Sequence, residues 1–216
     1  MKIEGKKALF LGDSITEGVG ASCIENCYVN VFERLTGCKT VNYGISGTRY
    51  AVKKADAATP GADRNYISRV DEMCADADIV VVFGGTNDFG HGDAPLGGFS
   101  DRDPNTFYGA CHILYRKLLE KYPDAVIVIM TPMHRLSENV TTNEIGLPCE
   151  RLIEFVKAER EVAEYYSLPV LDLFASSGIQ PAVDVIREKY MPDGLHPSDA
   201  GARIIAERLK GLLETL

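Results

Sequence analysis

The sequence is 216 residues long, 45% hydrophobic and 25% charged, with 23 basic and 31 acidic residues and a net charge of −8. The basic residues form no long cluster, so the electrostatic footprint of a nucleic-acid binder is missing, and no run approaches the roughly 18 to 20 apolar residues that span a bilayer. The length suits one domain, residues 1–216, since single cores grow comfortably to about 200 to 250 residues.

The chain opens on MKIEGKKALFLG, where charges precede a short apolar run with no small-residue cleavage site, so a cytoplasmic protein is expected. Apolar runs of strand length then recur at 8–11, 41–43, 79–83, 125–130 and 169–173. They are rich in Val, Ile and Leu without strict alternation, as strands buried on both faces read. Segments of helical spacing lie between them: 23–35 ending at Gly37, 107–122 stopping at Pro123, 148–166, and 198–216 with Ile204, Ile205, Leu209, Leu212 and Leu213 along one face. Strands alternating with helices imply βαβ units, a parallel sheet and helices on both faces. The six cysteines (Cys23, Cys27, Cys38, Cys74, Cys111, Cys149) are scattered, and the one close pair has no second pair beside it, so free thiols are expected.

In open parallel sheets the ligand sits at the carboxyl ends of the strands, which singles out four segments. The first is Gly12-Asp13-Ser14-Ile15-Thr16-Glu17-Gly18, where Ser14 and Glu17 fit a capping box as readily as Ser14 fits a nucleophile. It is not a G-x-S-x-G elbow, because position 16 is Thr16. The second, NYGISGTRY, has Gly44 and Gly47 three apart, able to expose N–H groups to an anion or simply to turn the chain. The third, FGGTNDFGHGD, places Asn87 just past a strand, where its amide can donate to an oxyanion or form an Asx-turn. Asp88, His91 and Asp93 in that loop could suggest a metal site, but such a glycine-rich loop more often makes a solvated turn, and no metal is expected. The last, MPDGLHPSDAG, sets Asp193 three residues before His196, close enough to accept its Nδ1 proton and leave Nε2 as a base; otherwise the pair is a helix-start turn.

FLGDSITEG, NYGISG, GGTND and DGLHP, in this order, resemble the GDSL-type hydrolases of the SGNH superfamily, and the resemblance runs from Gly12 to Gly201. It implies a three-layer α/β/α flavodoxin-like fold with a five-stranded parallel sheet. It also implies Ser14 as nucleophile, Asp193 and His196 as its acid and base, and an oxyanion hole of the Ser14 and Gly47 N–H groups with the Asn87 amide. Ile15 stands where many members carry leucine, apolar for apolar.

The implied activity is ester hydrolysis through an acyl-Ser14 intermediate, without cofactor or metal. The substrate is expected to be a small soluble ester, with O-acetyl groups on carbohydrates favoured and short-chain acyl esters or lysophospholipids as the alternative. Asp13, Asp88 and His134 are expected to contact it, and the polar loops 89–105 and 133–147 to wall its pocket, with Arg135 beside His134. A homo-oligomer stays open. The rival reading is a flavodoxin-like phosphate or nucleotide-binding module at Gly12–Gly18, which lacks the G-x-x-x-x-G-K-[ST] and G-x-G-x-x-G signatures and leaves Asp193 and His196 unexplained. A binding protein that keeps the fold without catalysis is the other, disfavoured because every expected position is intact.

Overall fold

The computed structural model describes residues 1–53 and 64–216. Five parallel strands, β1 (Lys7–Gly12), β2 (Lys39–Gly44), β3 (Ile79–Phe83), β4 (Val126–Met130) and β5 (Val170–Leu171), form one sheet in the order β2-β1-β3-β4-β5. The strand order reverses next to β1, so the carboxyl ends of β1, β2 and β3 bound the crevice where α/β sheets carry ligands.

Successive strand residues point to opposite faces, and here both faces are apolar. Ala8, Phe10, Ile79, Val81, Phe83, Val128 and Met130 belong to one core layer; Leu9, Leu11, Val80, Val82, Ile127 and Ile129 belong to the other. Hence the central strands read as continuous apolar runs.

The first layer packs under α2 (Tyr28–Thr36) and α9 (Asp199–Thr215), through Tyr28, Phe32, Ile205 and Leu209. The second packs under α5 (Phe107–Lys121) and α6 (Leu152–Tyr165), through Leu114, Leu118, Phe155 and Val162. This is the expected α/β/α arrangement. Gly37 ends α2 in the left-handed conformation at φ +69°, and the Ser198 hydroxyl caps α9 at the Gly201 N–H. The shorter helices are α1 (Ser14–Glu17), α3 (Tyr66–Arg69), α4 (Thr86–His91), α7 (Leu173–Ser176) and α8 (Asp184–Tyr190).

Three of the boundaries that differ from expectation have a clear local cause. The segment 23–35 splits into a 3-10 turn, Ile24–Asn26, and α2, because Cys27 is extended between them (φ −62°, ψ 152°). Helix α6 begins at Leu152 instead of 148, because Pro148 bridges to Thr142 and Arg151 is extended. The last strand stops at Leu171: Asp172 caps α7 by accepting from the Ala175 N–H at 3.0 Å, so Leu173 is helical.

Candidate active site

Strand β1 turns straight into α1 at Gly12, where a Cβ would fall 2.0 Å from Thr16 Oγ1. Asp13 is the N-cap, its carboxylate accepting from the Ile15 N–H at 3.0 Å. Ser14 is therefore the first helical residue, whose N–H has no acceptor within the helix. The capping box that Ser14 and Glu17 could have formed is absent, because Asp13 is the N-cap. Glu17 instead accepts from the Ser46 N–H at 2.7 Å and from the Ser46 hydroxyl, fastening α1 to the segment after β2.

The turn before α9 brings the other partners. Asp193 Oδ1 accepts from the N–H groups of Leu195 (2.9 Å) and His196 (2.7 Å), while Oδ2 accepts from His196 Nδ1 at 2.7 Å. With its Nδ1 proton held there, the ring presents Nε2 as an acceptor, 2.9 Å from Ser14 Oγ. Ser14, His196 and Asp193 thus form one hydrogen-bonded chain across 182 residues of sequence. Partial burial alone would raise the Asp193 carboxyl, but the two N–H groups and the imidazole outweigh it and hold it below its ordinary value of 3.8.

Gly47 and Asn87 are laced to the same strand end. The Ile45 N–H donates to the Gly12 carbonyl at 3.1 Å, and the Thr48 hydroxyl donates to the Ile45 carbonyl at 2.7 Å. Gly47 lies between them at φ +75°, a conformation in which a side chain would be strained. A Cβ there would meet nothing within 4 Å, so backbone shape, not crowding, calls for glycine. Asn87, second residue of α4 and buried, donates one amide hydrogen to the Thr48 carbonyl at 3.0 Å. Its second hydrogen is not used by that bond.

The residues expected at the substrate are placed differently. Asp88 is buried, and its two carboxylate oxygens accept from the N–H groups of Tyr50 (3.1 Å) and Ala51 (2.9 Å). Asp13 is buried too, spent on its cap. His134 Nδ1 donates to Glu138 Oε2 at 2.8 Å, and its ring stacks on Phe174 with ring centroids 3.8 Å apart. Asp13 and His134 share only a crevice of about 10 Å³, room for one water at most.

The two long loops do come together. Glu144 N–H donates to the Gly90 carbonyl and Asn143 Nδ2 to the Gly92 carbonyl, both at 2.8 Å. They wall a cleft of about 570 Å³ lined by Asp88, Asp93, Leu96, Leu147, Glu150 and Phe155 among others, but not by Ser14 or His196. In the Asp88-His91-Asp93 group, Asp88 is committed to backbone and His91 Nδ1 faces Arg49 Nη1 at 3.5 Å. Among the described residues no His, Cys, Asp and Glu side chains group to hold a metal ion.

Several contributors were invisible as sequence. Arg69, buried, donates to the Gly12 carbonyl (3.1 Å) and Thr48 Oγ1 (2.9 Å) and also reaches the Tyr43 carbonyl, tying β1 to β2 at the site. Asn42 Nδ2 donates to the Thr16 carbonyl at 2.7 Å. Glu159 lies fully buried behind Gly85, where a Cβ would come 2.2 Å from its Oε1. Burial pushes Asp13 up to about 7, Asp88 up to about 6 and Glu159 well above its ordinary range. The partners of Arg69 lie up to 57 residues away, and no local pattern marks such a link.

Residues 10–204 match the GDSL-like Lipase/Acylhydrolase family. No curated protein matches the chain. One solved chain is 34% identical, with a TM-score of 0.86 over 100% of this chain and 99% of its own. A protein from Lactobacillus plantarum is 29% identical, TM-score 0.84, over 99% and 98%. A two-domain esterase active on acetylated mannans, crystallised with mannopentaose, is 19% identical, TM-score 0.62, over 99% of this chain and 50% of that one, a likeness of fold. With a family match that spans nearly the whole chain, a five-stranded parallel sheet and the hydrogen-bonded chain at its strand ends, the protein belongs to the GDSL-like lipase/acylhydrolase family of ester-bond hydrolases.

Proposed function

We propose that the chain hydrolyses small carboxylic esters through an acyl-Ser14 intermediate, with O-acetyl groups on carbohydrates as the favoured substrate class. The observation that carries this reading is the Ser14 Oγ–His196 Nε2 contact of 2.9 Å, backed by His196 Nδ1 on Asp193 at 2.7 Å.

His196 Nε2 takes the Ser14 proton as Oγ attacks the ester carbonyl carbon. Asp193 holds the tautomer and stabilises the imidazolium. The tetrahedral oxyanion is received by the N–H groups of Ser14 and Gly47 and by the Asn87 amide. As the carbonyl re-forms, the C–O bond to the alcohol breaks and the alcohol leaves with the proton from His196. Water repeats the sequence: it gives one proton to His196, its oxygen joins the acyl carbon, and Ser14 recovers its proton as the acid departs. No step needs a metal or cofactor.

The acetyl preference follows from the small-ester reading; the 570 Å³ cleft walled by the two long loops is not lined by Ser14 or His196. The structural likeness to an esterase active on acetylated mannans supports the carbohydrate side. Rates on p-nitrophenyl esters of increasing chain length, alongside acetylated sugars, test it. The expected result is a preference for acetyl that declines with chain length, with acetylated sugars turned over. A preference for long chains, with no release of acetate from sugars, would favour the lysophospholipid alternative.

A further inference from the structure

The geometry points to Asp199 as a positioning residue: through a strap, residues 18–22, we infer that its carboxylate sets the distance between Ser14 Oγ and His196 Nε2. The inference rests on Ser14 and His196 being the reacting pair.

The strap begins on the serine itself. The N–H groups of Gly18 and Val19 both donate to the Ser14 carbonyl, at 3.0 and 2.9 Å, and Gly18 leaves α1 in the left-handed conformation at φ +114°. Two residues on, the strap crosses the histidine. Gly20, at φ +94°, lies so close that a Cβ would fall 2.8 Å from the His196 Cβ and 2.7 Å from the Pro197 carbonyl oxygen. Only glycine satisfies both that φ and that approach.

The far end is held by one carboxylate. Asp199 Oδ1 accepts from the Ser22 N–H at 2.8 Å; Oδ2 accepts from the Ser22 hydroxyl at 2.7 Å and from Asn26 Nδ2 at 2.9 Å. These three bonds lower its pKa and keep it ionised at any pH near neutrality. Asp199 is the first residue of α9, three positions past His196. A strap fixed at one end to Ser14, at the other to the helix that follows His196, and pressed on His196 between them, constrains the separation of the pair. Besides the clamp, the strap is held by Ala21, which packs against the first core layer, and by its own turn, the Ala21 N–H donating to the Gly18 carbonyl at 3.2 Å; among the described residues the clamp is its only polar tie to the helix that follows His196.

Misplacing a reacting group by about 1 Å costs about 100-fold in rate, so a loosened strap should show in chemistry and not in binding. The experiment compares Asp199→Ala, Asp199→Asn and the double variant Ser22→Ala/Asn26→Ala with wild type and with the surface control Glu207→Ala, which loses only an exposed pair with Arg203. Three readouts are taken: kcat and KM on p-nitrophenyl acetate, the second-order rate of Ser14 phosphonylation by a fluorophosphonate, and Tm. Asp199→Ala and the double variant should lose about 10- to 100-fold in kcat and in phosphonylation together, with KM within about two-fold. Asp199→Asn, which keeps an acceptor for the Ser22 N–H, should fall between them and wild type. Should Asp199→Ala melt near wild type and be phosphonylated at the wild-type rate, the positioning role is refuted. A loss of activity matched only by loss of folded protein refutes it as well, since the rate per folded site is then unchanged. If wild type itself escapes phosphonylation at Ser14, the functional reading fails instead, and the two failures are distinguishable.

Discussion

At the residue scale the site divides into groups that meet substrate and groups that hold them. The proposed chemistry puts Asn87 among the first. Its side chain has one anchoring bond, to the Thr48 carbonyl, and one hydrogen to spare, so it can donate to an oxyanion without reorganising. Asn87→Ala should lower kcat by about 10² to 10³ and leave Tm nearly unchanged, since the lost bond is single; steady-state kinetics and thermal melting check both parts. Near-wild-type kcat in folded Asn87→Ala would remove it from the oxyanion hole. The placement of Ser14, Gly47, Asn87, Asp193 and His196 at one end of the sheet was legible in the sequence because each stands at a strand end or a turn with a motif around it. Asp13 and Asp88 stood in the same motifs and proved to be buried struts: sequence marks such a position but does not say which way the carboxylate points. Asp199 lay in the last of the four strand-end segments with no role to single it out, and Arg69 lay outside all four, since their bonds to Ser22 and Gly12 cross 177 and 57 residues.

At the element scale the strand ends are fixed by glycines more than by packing. Gly85 caps α4 at φ +92°, with Glu159 Oε1 2.2 Å and Pro132 Cγ 3.1 Å from where a Cβ would sit. Gly85→Ala combines a left-handed L-residue, at about 1–2 kcal/mol, with an overpacked contact, at about 1–3 kcal/mol. Unfolding in urea should show a loss of about 2–5 kcal/mol, and the variant that remains folded should turn over slowly because α4 carries Asn87. A change below the few tenths expected of a neutral surface site would contradict that view of the turn. The elements most legible in the sequence were the buried strands β1, β3 and β4 and the amphipathic helices α5 and α9. Their ends were less so: Cys27, Arg151 and Asp172 each break or cap an element through contacts and conformations that propensity does not encode.

At the scale of the whole molecule, the two apolar core layers fix the sheet, and a small set of buried polar groups fixes its working edge. Three of these are acids, Asp13, Asp88 and Glu159, each raised by burial. Asp13 loses its proton near 3.8 when unfolded and near 7 when folded, so between those values the folded state binds more protons and stability falls as pH rises. Asp13→Asn removes this dependence. The difference in unfolding free energy, wild type minus Asp13→Asn, should therefore decline from about pH 4 to about pH 7 and level off above it, as read from urea unfolding across that range. A flat difference would show that Asp13 is ionised in the native state throughout. The layer architecture followed from alternation of apolar strands and helices, whereas its strand order came with the family resemblance, because period and composition do not say which strands are neighbours.

The central claim is that Ser14 carries the acyl group. Acid-quenching the protein during turnover of p-nitrophenyl acetate and mapping the peptides by mass spectrometry tests it most directly. The expected result is an acetyl group on the Ser14 peptide, absent in Ser14→Ala, which has lost its turnover. Turnover that survives in Ser14→Ala, or an acetyl group found only on another residue, would contradict the account.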